Sequence, residues 1–251
     1  MSMFFNLMAA AVTVSEPPVD GQTGVWWKSG GVTISAAMKM PGAVVGSGQA
    51  QYVYRRGVAT GCEVLSGGSQ RVSAGGVARD TVIGTSGRMY VYSGGSARGG
   101  TIGSGGMVQA QTGGVVQGIT ILQGGRIDAI SAGTVSAPVV SSGGLVYMYT
   151  GGRVVGATVR GGSVQGGGSA YDATVSSGGR LNLLANAYAS GAVISSGGSM
   201  NIASGALASV VTVLSVGRLT VESGGTALAV TSNAGAVVTV RDGGYIEYVT
   251  P

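Results

Sequence analysis

Between Arg88 and Gly95 the chain reads RMYVYSGG, in which apolar Met89 and Val91 alternate with Arg88, Tyr90 and Tyr92. The same beat returns in RIDAISAG from Arg126, LVYMYTGG from Leu145 and RLTVESGG from Arg218. Ile127 and Ala129, Val146 and Met148, and Leu219 and Val221 hold its second and fourth places. Successive side chains of a strand point to opposite faces, so each segment predicts a short strand with one buried face. The 11-residue stretches between them, such as VARDTVIGTSG, SARGGTIGSGG and SAYDATVSSGG, follow a related rule. Ala78, Ala97 and Ala170 stand second, and Ile83, Ile102 and Val175 stand seventh. The fifth place holds Cys62, Thr81, Gly100, Ile119 and Ala173. That predicts an inward column in which Cys62 is a buried thiol acting as a small hydrophobe.

The turns that end these segments keep a fixed interval. Gly68, Gly87, Gly106, Gly125 and Gly144 are 19 residues apart, and so are Gly76, Gly95, Gly114, Gly133 and Gly152. The rhythm loosens but continues through Gly162, Gly179, Gly198, Gly217 and Gly235, and runs backwards to Gly48 and Gly31. One such unit cannot close a core, but stacked units can, each hydrogen-bonded to its neighbours at about 4.8 Å. The expected fold is all-β: a single-chain β-solenoid, specifically a right-handed parallel β-helix, the hand that parallel crossovers prefer. About twelve turns would make a rod on the order of 55–60 Å long. Residues 1–20 are expected to form an N-terminal cap or subunit-docking segment, and residues 21–251 the solenoid.

Composition sharpens this picture by exclusion. Fifty glycines could signal disorder, but 44% of the residues are hydrophobic and only 9% charged, the reverse of a disordered chain. No Gly-X-Y triplet runs through the sequence, so collagen is excluded. There is no histidine and a single cysteine, which removes the commonest metal ligands and general base, and no cofactor or metal is expected. The nine acids fall in different turns. Asp80 and Asp172 share a column but lie about five turns, roughly 24 Å, apart. No pair is placed for acid–base work, so no catalytic residues are assigned and the chain is read as a non-enzyme.

Net charge is +5, spread over scattered Lys and Arg. This reads either as simple solvation or as a mild preference for acidic glycans, and not as a nucleic-acid surface. The apolar run ALASVVTVLSV, from Ala206, is too short and too interrupted to span a bilayer, so no membrane insertion is expected. MFFNLMAAAVTV, from Met3, has the apolar core of a signal peptide without a basic start.

VLSGGSQRVSAGGVARDTVIGTSG and TVSSGGRLNL resemble the strand–loop–strand repeats of AIDA-type autotransporter adhesins, over about Gly21 to Gly244. The resemblance implies a passenger on the bacterial cell surface, extracellular, used in adhesion, autoaggregation or biofilm formation. It also implies glycosylation by heptosyltransferases, with the turn serines Ser93, Ser104, Ser142 and Ser177 as candidate acceptors. No barrel sequence follows the repeats in this chain; an excised passenger and a free-standing solenoid both fit.

Without a reaction site, function falls to the outward columns and the ends. Arg88, Arg126, Arg180 and Arg218 occupy the first place of their segments, and Tyr90, Tyr92, Tyr147 and Tyr149 the third and fifth. These types suit glycan or self-recognition, though outward strand positions also favour Tyr for β-propensity alone. At the ends, Phe4, Phe5, Trp26, Trp27, Ile246 and Val249 are candidates for capping or docking, with Trp27 expected in the inward seventh place of the first turn. The expected function is a non-enzymatic surface adhesin or self-associating rod, including end-to-end growth into a filament. Its partners would be copies of itself and host or bacterial surface glycans. The alternative is a carbohydrate-binding or depolymerising β-helix such as a phage tail spike.

Overall fold

The structure, a computed structural model, describes residues 23–30 and 32–249. Every regular element among them is a strand, and the strands stack as a β-solenoid of about eleven turns. The chain enters through β1 (Val25–Ser29) and β2 (Val32–Ala37), then makes its first turn with β3 (Lys39–Pro41), β4 (Val44–Val45) and β5 (Gln49–Val53). The next eight turns repeat that trio, and in the last two complete turns the short pair is merged into one seven-residue strand, Leu207–Val213 and Thr226–Ser232. Two short strands join one sheet and a longer strand joins the other, giving 21-stranded and 13-stranded sheets. Because β1 and β2 belong to the 13-stranded sheet, eleven parallel strands remain in it, one for each complete turn. Tyr245–Tyr248 opens a twelfth turn in the other sheet. The expected count of about twelve therefore covers eleven complete turns and the start of another.

Pairing is in register with the sequence period. Arg88, Met89, Tyr90 and Val91 lie beside Met107, Val108, Gln109 and Ala110. Inward columns are thus continuous ladders: Met89, Val91, Ala97 and Ile102 are buried, as is Cys62, a free thiol. Burial of each Val, Ile, Leu or Met contributes roughly 1.5–3 kcal/mol, repeated turn after turn. This regularity is what offsets the entropy of ordering a glycine-rich chain.

The two glycines of a corner have different jobs. Gly105 has φ +70°, a left-handed conformation, and its equivalents one turn before and several turns later are Ser86 (φ +56°) and Val216 (φ +61°). That place therefore asks only for a bend. Gly125 belongs to the second set, where a Cβ would lie 2.5 Å from the carbonyl oxygen of Ile102 in the preceding turn. Here the absence of a side chain lets one turn rest closely on another, although alanine fills the same row at Ala236 and the equivalent place of the other row at Ala187 and Ala206.

Two features depart from the sequence expectation, and a third matches its loosening of the rhythm at Gly162 and Gly179. The segment 25–37 is not a parallel turn, because β1 runs antiparallel to both β2 and β5. Ser29-Gly30-Gly31 resembles a corner, but β1 reverses direction after it into β2; Gly31 itself lies outside the described residues. Consequently Trp27 is not in an inward place of a first turn. It stands half-buried on β1, its indole nitrogen buried without a hydrogen-bond partner among the described residues.

Second, the inward second place holds Gln51 and Gln70 at the start of the stack. The Gln70 amide donates to Gln51 Oε1 at 2.5 Å, and Thr81 donates to Gln70 Oε1 at 3.2 Å. The Gln51 amide in turn approaches Cys62 Sγ at 3.5 Å and Met40 Sδ at 3.3 Å. A short polar ladder therefore runs inside an otherwise apolar column. Third, the period shortens near residue 160: Leu145 pairs with Ser163 and Ser163 with Arg180, intervals below 19.

Candidate functional site: outward tyrosine and arginine columns

Strand alternation puts the third- and fifth-place side chains of the 13-stranded sheet on its outer face, and stacking aligns them along the rod. Tyr52, Arg71, Tyr90, Gln109, Asp128 and Tyr147 succeed one another in a single column. Two residues on from each tyrosine in this column is another, and the rings pair. The centroids are 6.0 Å apart for Tyr52 and Tyr54, 6.4 Å for Tyr90 and Tyr92, and 4.7 Å for Tyr147 and Tyr149. The first two pairs stack and the third is tilted.

Arginines from neighbouring turns hold the first and third of these pairs. Arg71 lies 5.2 Å from the centre of the Tyr52 ring and donates to its hydroxyl at 2.6 Å. Arg126 lies 5.3 Å from the Tyr147 ring, donates to Tyr149 Oη at 3.3 Å, and pairs with Asp128 at 2.5 Å. The Asp128 carboxylate, only 4% exposed, is the anchor of this group. Its bonds raise the affinity of Arg126 for its proton, against a burial cost that acts the other way. Burial first, then the neighbouring Tyr52, holds the Tyr54 phenol well above its ordinary range, and Arg71 opposes both. These groups form an aromatic and cationic outer surface held in place by its own contacts.

The structure thus gathers Tyr90, Tyr92, Arg126, Tyr147 and Tyr149 on one face, with Arg88 exposed beside them in the first-place column. Arg180 and Arg218 lie farther along that column, away from the tyrosines. Tyr52, Tyr54 and Arg71 were not among the expected site residues, although the third-place and fifth-place rule extends directly to them. A second aromatic group on the other sheet is equally absent from the expectation. Tyr171 and Tyr188 meet at 5.9 Å, with Arg153 at 4.7 Å from the Tyr171 ring and Tyr188 hydrogen-bonded to Ser209 at 2.9 Å. Its residues occupy two different outward columns, so no single-column pattern in the sequence points to it.

Of the end candidates, Trp26 is half-buried and donates to the Thr23 carbonyl at 3.0 Å. Ile246 packs against the core, whereas Val249 is 54% exposed. Phe4 and Phe5 lie outside the described residues.

A parallel β-solenoid carrying its chemistry on the outside of the stack defines a stalk-like surface protein. Residues 47–106 match the family described as "Adhesin of bacterial autotransporter system, probable stalk". Among solved structures, a fragment of TibA, hyper-glycosylated in a TibC-catalysed reaction, is similar at 30% identity. The similarity covers 84% of this chain and 89% of that fragment, with a TM-score of 0.69. No curated protein matches the chain. The chain belongs to the AIDA-type autotransporter adhesins, and its place is outside the cell, on the bacterial surface.

Proposed function

We propose that this adhesin is a non-enzymatic rod that holds its partners through the Tyr52–Tyr149 face, contacting surface glycans and, side by side, other copies of itself. The observation that carries this reading is the pairing of tyrosines with arginines docked onto their rings along a single column. A phenol ring offers an apolar face and a hydroxyl, and a guanidinium offers several donors, a combination suited to the mixed surface of a sugar or of a facing strand. Because the rings point outward, they are separable from the fold. The variant Y90S/Y92S/Y147S/Y149S is expected to lose about tenfold or more in cell aggregation and in glycan-array binding, while its thermal midpoint moves by only a few degrees. Unchanged aggregation and unchanged array binding in a folded variant would sink the proposal.

The TibA fragment is a glycosylated protein, and this chain presents serine hydroxyls on its corners. Ser93, Ser104, Ser142 and Ser177 are all exposed, which supports reading them as acceptors. Co-expression with a heptosyltransferase is expected to add whole heptose increments to the intact mass. Changing these four serines to alanine should remove up to four increments, and a mass pattern indifferent to the change would exclude them.

A further inference from the structure

The shortened corner at residues 160–162 differs from its neighbours in its backbone bonding. Elsewhere in this row the second glycine closes the corner by donating to the carbonyl three residues back, as Gly144 does to Ser141 and Gly179 to Ser176 at 2.9 and 2.8 Å. In most turns the first residue of the pair donates to the turn above, as Gly143 does to Gly161 and Gly178 to Gly197 at 3.2 and 2.8 Å, with Gly67 and Ser86 as exceptions. Losing one residue removes both arrangements. Gly161, at φ +74°, and Gly162 keep their carbonyls paired, but neither N–H finds an acceptor among the described residues. Buried or half-buried backbone donors are almost always paired, so two in succession are an exception that asks for a partner.

The same corner is a groove of about 290 Å³, lined by Gly143, Gly161, Gly162, Ser163, Gly178 and Arg180 among others. No carboxylate lines it. The Ser163 hydroxyl is buried without a hydrogen-bond partner, and Arg180 is exposed and forms no ion pair with any described residue. Successive N–H groups around a left-handed residue form the concave nest that accepts anions elsewhere in proteins. The residues that carry the nest, the unpartnered hydroxyl and the unpartnered guanidinium thus line one groove, most of whose other lining is glycine.

We propose that this corner binds a small oxyanion, the carboxylate of an acidic sugar or a phosphate, with the Gly161 and Gly162 N–H groups, Ser163 and Arg180 as its donors. The site uses none of the tyrosine rings: it lies at the corner where the strand of Tyr147 begins, and its proposed donors come from the next two turns. It gives the adhesin a means of preferring charged over neutral glycans.

Amide chemical shifts and calorimetry on the whole chain, titrated with inorganic phosphate, N-acetylneuraminate, glucuronate and glucose, test this. At ligand concentrations up to on the order of 50 mM, shifts centred on Gly161 and Gly162 are expected with one or more of the anions and not with glucose. Response to the sugar acids assigns the carboxylate as the source, and response to phosphate alone assigns the phosphate. Arg180→Gln should weaken binding about tenfold or more, since a charge-assisted bond is lost, while Arg218→Gln should leave it unchanged. Inserting one serine between Arg160 and Gly161 restores the ordinary corner and should abolish the glycine shifts with Arg180 still in place. No anion-dependent shift at the two glycines, equal shifts with glucose, or undiminished binding in Arg180→Gln overturns the proposal.

Discussion

Gly125→Ala is expected to break the rod in two. The added methyl carbon would sit 2.5 Å from Ile102 O and 3.0 Å from Ile102 C, both backbone atoms that cannot swing aside. Relief requires the two turns to part by more than half an ångström along the axis, which lengthens every ladder bond between them. Overpacking of this kind costs upwards of about 3 kcal/mol where backbone meets backbone. In a stack each turn touches only its neighbours, so the loss is concentrated at one interface. Urea unfolding should therefore change from one transition to two, with proteolysis cutting near residue 125. Gly118→Ala is the matched control. Gly118 has φ +63° but open space around its missing side chain, so only the conformational cost of about 1 kcal/mol is expected, with a single transition retained. Equal effects at the two sites would show that corner glycines serve conformation alone.

The next largest effect is expected inside the stack. Gln70→Ala removes the amide that donates to Gln51 and accepts from Thr81, and leaves both partners buried and unsatisfied. With the cavity added, the loss should be about 2–4 kcal/mol, read as a lower urea midpoint. The triple variant Q51M/Q70M/T81V removes the whole ladder and fills its volume. It should fall within about 1 kcal/mol of the parent, because no polar group is left stranded. If the triple variant is as unstable as Gln70→Ala, the ladder contributes more than mutual satisfaction.

These two results rest on different degrees of legibility. The parallel stack was written in the interval between glycines, because in-register stacking forces structural and sequence periods to coincide. Met89, Val91, Ala97, Ile102 and Cys62 could accordingly be placed inside before any coordinates. Gln51 and Gln70 obey the same rule, yet their polarity hides them: an inward glutamine looks like an outward one until its register partner is known. The β1–β2 hairpin was illegible for another reason. Val25–Ser29 alternates like any strand and is followed by Gly30, as a corner would be, and alternation carries no information on strand direction. At the candidate site, column membership followed from spacing, so Tyr90, Tyr92, Tyr147 and Tyr149 could be placed on one outer face. What the spacing could not supply was the contact of Arg126 with both Asp128 and Tyr149, which depends on how a long side chain folds across two columns.

The ladder bonds of this rod run along its axis, while the strands lie across it. A stalk that tethers a cell to a surface is pulled along that same axis, so its turns carry load in series and each interface feels the whole force. They would yield one at a time instead of sharing the strain. Each 19-residue turn that peels away exchanges a rise of about 4.8 Å for roughly 60 Å of extended chain. Stacking of near-identical turns would thus make the rod an extensible tether: each turn lost lengthens more than tenfold, the first about doubling the length of the rod, and restacking onto the turns that remain would recover it.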